Sequence, residues 1–397
     1  MDQLENRLKK SSNAITFSRP IIFDLAKLKS RNSVKGLITN YKIQHVTDNY
    51  LEQLRELYAI KNPRLVYGPN FEKEFRNYVN KLEKGNPFWQ QGRWIHYPWL
   101  YTLVHLLENR DFQLVRTARN KNLINEREQN KFYNAVIGIG GLSIGNSVAL
   151  AIVLQGGAKH IRLADHDKLA LSNLNRIRAG VENLGQRKVE ITARQIYELN
   201  PYAKVDIFPE GLTQKNISKF FAGPPKLDIV IDELDNLAVK FLIREQAKRH
   251  RIAVVMAADN GDNAVVDIER YDLNPKTKFF HNRLGNVSYK KLSQLDKFGI
   301  GKTITKHIGP ENVTERMQKS LLEMGKTIVS WPQLGGAALI NGSAVAYCVR
   351  KILNKQPLER IRSLISLDEK LIPRYNSPLM KKKRKRITQS FKKIFGL

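Results

Sequence analysis

Between residues 135 and 256 the chain alternates short apolar runs with helix-patterned segments, and nothing else in it constrains the fold as tightly. The strand-like runs are 135–139, 160–164, 205–208, 228–232 and 253–256, and the helix-like runs between them are 144–155, 188–199, 216–221 and 237–249. Gly156-Gly157, Asn200-Pro201 and Gly223-Pro224-Pro225 punctuate the pattern where one element should stop and the next begin. Strand–helix units repeated in this way close their apolar faces only as a mostly parallel sheet with right-handed crossovers. The expected fold class is therefore α/β, a doubly wound Rossmann-like sheet. A run at 265–271 reads as a strand of a different kind, and 335–353 as an apolar helix buried against the sheet.

The most apolar window, 135–154, is long enough to raise the question of a membrane span. Its glycines and its central Ser143-Ile144-Gly145-Asn146 favour strand–turn–helix instead. With no apolar leader among the first thirty residues, the chain is expected to be soluble and cytoplasmic, without a transmembrane segment. Its length allows more than one domain. The expected organisation is an N-terminal accessory region at 1–110, a nucleotide-binding domain at 111–270, the C-terminal part of the same fold at 271–375 and a basic tail at 376–397. The accessory region carries helical patterns at 47–60 and 70–82 and an aromatic cluster (Phe88, Trp89, Trp94, Tyr97, Trp99, Tyr101), read as a small core.

The single cysteine, Cys348, excludes a disulfide framework and a Cys-rich zinc site; it lies within the apolar helix and is expected to be a buried thiol. A formal charge of +30 favours anionic partners, among them tRNA, other nucleic acids, phospholipid and acidic protein. The run from Lys381 to Lys393 holds eight cations and no acid, but the excess of positive charge extends over the whole chain. Such a run is expected to form a solvated, disordered end, although Ile387, Phe391, Ile394 and Phe395 would also permit an amphipathic contact.

The polar residues placed between the apolar runs carry the chemistry. A glycine turn after the first strand, containing Gly140, Gly141, Ser143 and Gly145, lets backbone amides and a helix N-terminus approach phosphates. Asp165, at the end of the second strand, is placed for ribose hydroxyls. A dinucleotide-dependent dehydrogenase would need no more than this. Asp167, Asn173, Arg176 and Lys188 follow, however, and Asp235 comes after the fourth strand, facing the same crevice as Asp165. A triphosphate and its metal ion need such a set, because negative charge must be neutralised and the leaving pyrophosphate stabilised. Asn236 could instead cap the following helix. His166, between two acids, is expected to point away from them.

In Asp165-x-Asp167, Ser172-Asn173-Leu174-Asn175-Arg176, Gly185-Gln186-x-Lys188, Asp235-Asn236 and the upstream Arg116-Thr117-Ala118-Arg119, the chain resembles the ThiF-type adenylating enzymes, relatives of ubiquitin-activating enzymes and of sulfur-carrier-protein adenylyltransferases. The resemblance spans about 112–270. It implies ATP and Mg²⁺ as cofactors, Asp165 on the ribose, and Asp167 near the α-phosphate and metal. Asn173, Arg176 and Lys188 would contact the triphosphate, and Asp235 would hold Mg²⁺. Arg119 would reach into the partner's site of a homodimer. The implied reaction is attack of a carboxylate, such as the C-terminus of a small carrier protein or peptide, on the α-phosphorus. The family's glycine loop reads Gly-x-Gly-Gly-x-Gly. Here Gly138-Ile139-Gly140-Gly141-Leu142-Ser143 breaks that frame at its last position, while Gly141-Leu142-Ser143-Ile144-Gly145 offers another. No convincing thioester cysteine is present, which argues against covalent relay through cysteine. A tRNA threonylcarbamoyladenosine dehydratase and a non-catalytic scaffold are the competing readings of the same fold.

Overall fold

The computed structural model describes residues 19–358 and 361–397. The chain divides into two compact units, one running to Glu126 and including Tyr197–Tyr202, the other formed by Arg127–Ile196 and Ala203–Leu397.

In the first unit a four-stranded sheet is built from β1 (Ile21–Phe23), β2 (His45–Asp48), β3 (Arg93–Tyr97) and β4 (Thr102–Leu106) in the order β1-β3-β4-β2. Helices α1 (Leu28–Thr39), α2 (Tyr50–Lys61) and α3 (Phe71–Glu83) accompany it. The last two coincide with the helical patterns read from sequence. The aromatic cluster divides: Trp94 and Tyr97 are buried, whereas Trp89 and Tyr101 remain exposed. Trp94 stacks on His105 at 4.3 Å, and Tyr50 covers the other imidazole face at 4.1 Å.

The second unit is the predicted α/β fold. Its strands β5 (Val136–Gly140), β6 (His160–Ala164), β7 (Lys204–Phe208), β8 (Ile229–Asp232), β9 (Ala253–Asn260), β10 (Asn263–Glu269) and β11 (Arg362–Ile365) form one sheet in the order β11-β10-β9-β8-β5-β6-β7. Strands β5 to β9 run parallel, and β10 and β11 add antiparallel beyond β9. Helices α4 (Ile144–Leu154), α5 (Lys188–Leu199), α6 (Ile217–Ala222) and α7 (Leu237–His250) lie between successive parallel strands. The apolar window 135–154 is therefore β5, a turn and α4. Among the described residues no helix is long and apolar enough to cross a membrane.

The chain first adds strands outward on one side of β5 and then returns to add β8 and β9 on the other. The reversal between β5 and β8 opens a crevice at the carboxyl ends of these strands, the usual ligand position in such sheets. Helices α8 (Lys297–Ile308), α9 (Glu315–Glu323) and α10 (Gly335–Leu353) follow, with α10 against α4 and β9. Glycine permits that contact: a Cβ on Gly342 would come within 2.8 Å of the Ser147 backbone. Cys348 is buried within α10, and burial pushes its thiol up to about 11.

The basic tail departs from expectation. Residues Pro378–Phe395 form α11, with Phe391 and Phe395 buried in a cluster that includes Ile308, Val313, Met317 and Leu321. Phe391 and Phe395 fall on one helical face, and packing them against the fold outweighs mutual repulsion among the outward cations.

Candidate active site

The glycine turn is built by close approach of two backbones. The Gly141 N–H donates to the Ala164 carbonyl at 2.8 Å, and the Glu233 N–H donates to the Gly140 carbonyl at 2.8 Å. Gly141 has φ +83, and a Cβ there would lie 2.3 Å from the Glu233 carbonyl oxygen. Only glycine meets both demands. Gly138 and Gly140 belong to the strand itself, so the turn into the helix runs from Gly141 to Ser143, and Gly145 falls in the first turn of α4. Ser143 occupies the N-cap position of α4 without a side-chain cap bond, leaving the first-turn amides of α4 without intrahelical partners. Gly145 packs against Ile139, where a Cβ would approach the side chain to 3.0 Å.

Asp165 closes this turn from the side. One carboxylate oxygen accepts from the Leu142 N–H at 2.6 Å and the other from the Asp167 N–H at 2.7 Å. Burial pushes the Asp165 carboxyl above its ordinary value, against the two amides and Lys188, which favour the charged form. The side chain of Lys188, at the start of α5, is buried and donates to Asp167 Oδ2 at 2.8 Å. The Asp167 N–H and carboxylate are both engaged, yet half of the side chain faces solvent. His166 does not point away as expected: its Nε2 lies 3.4 Å from Asp167 Oδ1. Strand β6 ends at Ala164, so the alternation of a strand no longer governs residues 165–167. Ligand atoms of Asp165, His166 and Asp167 lie within 4.8 Å of one another.

The segment after β6 brings in the cation. Arg176 Nε donates to Ser143 Oγ at 2.8 Å, and its Nη1 donates to the Ser172 carbonyl at 3.1 Å and Asn175 Oδ1 at 2.9 Å. Burial lowers the Arg176 pKa, while Asp259 and Asp235 act to raise it. Asn173 Oδ1 is used locally, accepting from the Ala170 N–H at 3.0 Å in a short helical turn. Asn236 caps α7 by accepting from the Ala238 and Val239 amides. Asp235 beside it is left exposed, within electrostatic reach of Arg176. Arg119 belongs to the first unit, where it is exposed on the short helical turn Ala118–Asn120.

Three further groups were not singled out in the sequence. Asp259, at the end of β9, is buried and accepts from Gln333 Nε2 at 3.0 Å and from Asn341 Nδ2. Burial pushes its carboxyl up to about 6, with Gln333, Asn341 and Arg176 opposing. The strand-end argument that selected Asp235 applies equally to Asp259, which lay beyond the 253–256 run read as the fifth strand. Glu233 is buried, receives the Ala257 N–H at 2.9 Å, and has its carboxyl raised well above the usual range by burial. Gln333 anchors the segment leading to α10 through its carbonyl, which accepts from Asn175 Nδ2 at 2.7 Å. Gly335 permits that crossing, since a Cβ there would lie 2.4 Å from the Asn175 carbonyl. No sequence signal marks Gln333.

The floor of the crevice is a buried ion cluster. Asp232 receives Arg244 Nη1 at 2.6 Å and Lys240 Nζ at 3.2 Å, and Arg244 Nε lies 2.6 Å from Glu269. Burial alone would raise Asp232, but Lys240 and Arg244 outweigh it and hold the carboxyl below its ordinary value. This cluster supports the carboxyl end of β8 and fixes the backbone that carries Glu233 and Asp235.

Residues 117–383 match the model of the ThiF family. The chain belongs to the ThiF family. Among its relatives, a Mycobacterium tuberculosis (strain CDC 1551 / Oshkosh) protein named Uncharacterized protein MT1398 is 36% identical over 309 residues, covering 77% of this chain and 42% of that protein. A Saccharomyces cerevisiae tRNA threonylcarbamoyladenosine dehydratase 2 is 29% identical over 41% of this chain and 35% of its own length. A Thermus thermophilus sulfur carrier protein adenylyltransferase is 26% identical over 28% of this chain and 46% of its own length. The chain thus spans about two fifths of the length of the first of these ThiF relatives and about a third of the second.

Proposed function

We propose that this ThiF-family chain is an ATP- and Mg²⁺-dependent adenylyltransferase that activates a carboxylate as an acyl-adenylate. The observation that carries the reading is the convergence of Arg176 on Ser143 of the glycine turn, with Lys188 and Asp167 beside it. A helix start whose first-turn amides lack intrahelical partners, beside two cations, suits phosphates, and the adjacent carboxylates suit a hard divalent ion. In this reading Asp165 orients the turn and lies against the ribose, and Asn173, Arg176 and Lys188 hold the triphosphate. Asp167 and Asp235 supply oxygen ligands for Mg²⁺. The metal's chemistry is neutralisation of phosphate charge. The protein supplies positioning: Arg176 and Lys188 stabilise the departing pyrophosphate, and no protein nucleophile is required. Relatives named as adenylyltransferases, of sulfur carrier protein and of molybdopterin synthase, support this class. The substrate is assigned as the C-terminal carboxylate of a small protein or peptide, and the active form as a homodimer receiving Arg119 from its partner.

The test is pyrophosphate exchange into ATP, run with peptides bearing a free C-terminal carboxylate and with the same peptides amidated. Exchange with the free acids alone supports the assignment. Exchange that survives in both Arg176→Ala and Asp235→Ala removes the roles given to these residues.

The charge of +30 and several relatives named as tRNA threonylcarbamoyladenosine dehydratases favour a second reading, ATP-dependent action on tRNA. AMP formation that requires tRNA and no peptide would select it.

A further inference from the structure

Helix α11 presents an ordered outer face. Its two phenylalanines are committed to the fold: Phe391 and Phe395 are buried with Val265, Ile308, Met317 and Leu321, and they stack on each other at 5.0 Å. Gln318 Nε2 donates to Thr388 Oγ1 at 3.0 Å, and Arg384 lies over the Tyr375 ring at 3.9 Å while donating to its carbonyl. The helix is bounded at both ends, by Ser377 with Pro378 at its start and by Gly396 at φ +70 at its finish. What remains outward is mostly cationic, with Leu379 and Ile394 the exposed large apolar residues. Lys381, Lys382, Lys383, Lys385, Arg386 and Lys393 are exposed, and the helix contains no acid. At the i, i+3, i+4 spacing of a helix, Lys382, Lys385, Arg386 and Lys393 form one stripe opposite Phe391.

We propose that this stripe binds the phosphodiester backbone of a nucleic acid. Like charges held at close spacing on an ordered helix repel one another, and a polyanion laid along them removes that repulsion while releasing its own counterions. From Lys381 to Lys393 the helix rises about 18 Å, on the order of five phosphates of one duplex strand. A membrane is the poorer partner, because interfacial helices bind by inserting a broad apolar face, and this one buries its phenylalanines in the fold and leaves only Leu379 and Ile394 as exposed large apolar residues. The inference does not rest on the adenylation reading, and its test contains no ATP, so each can fail without the other.

The experiment is fluorescence anisotropy with the full chain, using a ~20-base-pair duplex DNA and an RNA hairpin as probes. Phosphatidylserine–phosphatidylcholine vesicles and poly-glutamate serve as alternative polyanions. The K382Q/K385Q/R386Q/K393Q variant is compared with wild type and with K204Q/K215Q/K219Q/K226Q, which removes the same charge from exposed positions elsewhere. Binding of either nucleic acid is expected, and the preferred probe identifies its source. The α11 variant should bind about tenfold or more weakly, and its salt slope on duplex DNA should be shallower by roughly 3.6. The control variant should bind like wild type, and both should melt like wild type. Equal losses in the two variants, an unchanged affinity in the α11 variant, or preferential binding of vesicles or poly-glutamate would overturn the proposal.

Discussion

Arg176 Nε donates to Ser143 Oγ at 2.8 Å, so the guanidinium is tied to the very position where the family's glycine loop departs from its usual sequence. A glycine there would leave Arg176 held only through Nη1, by Ser172 and Asn175. The hydroxyl thus makes the departure a contact within the site. Ser143→Ala is expected to lower kcat/KM for ATP by about tenfold, the scale of one hydrogen bond to a charged group, with little change in melting temperature. Steady-state kinetics at varied ATP measures it, and unchanged kcat/KM would separate Ser143 from nucleotide binding.

Gly141 and Gly185 both have positive φ, +83 and +79, but a Cβ meets the Glu233 backbone at 2.3 Å in the first and open space in the second. Gly185→Ala should cost about 1–2 kcal/mol, the left-handed penalty alone. Gly141→Ala should cost well over that, because two strand ends must separate. Urea unfolding compares them, and equal costs would contradict the close approach assigned to Gly141.

Arg244 balances Asp232 and Glu269 beneath the site, and all three are fully buried or nearly so. Arg244→Met leaves Glu269 without its cation and Asp232 with Lys240 alone, at a cost of about 3–5 kcal/mol. A loss below about 1 kcal/mol in urea unfolding would show that the cluster is not supporting β8.

Asp259 supplies a pH signature. Burial pushes its carboxyl up to about 6, from about 3.8 for a free aspartate. The folded chain therefore holds this proton more tightly than the unfolded chain between those values, and the contribution of Asp259 to stability falls as pH rises through that window. The stability of wild type relative to Asp259→Asn should drop by about 2 kcal/mol between pH 4 and pH 7. Urea unfolding of both proteins at several pH values reads this difference, and a constant difference would contradict a raised Asp259.

The parallel part of the sheet was legible because each strand is a short apolar run followed by a stop and a helical period. Runs 188–199 and 335–353 match α5 and α10 to the residue. Strand β11 was not legible: its four residues include Arg362 and Ser363, and it is positioned by Asp267, which binds Arg362 Nε at 2.7 Å across the sheet. Helix α11 was hidden by its charge, since its stability comes from a cluster assembled from α8 and α9. In the site, residue types at strand ends pointed to Asp165, Asp167 and Asp235, and the Ser143–Arg176 contact was not visible because it joins loops 33 residues apart. Gln333 is recruited from 158 residues beyond Asn175 and carries no local pattern.

Calorimetric titration of the full chain with Mg·ATP tests the central claim most directly. The account predicts saturable binding of one nucleotide per chain, weakened about tenfold or more in Arg176→Ala and in Lys188→Ala, both of which should remain folded. No heat of binding in wild type at about millimolar nucleotide, or equal binding in both variants, would contradict a nucleotide site at the carboxyl ends of β5, β6 and β8.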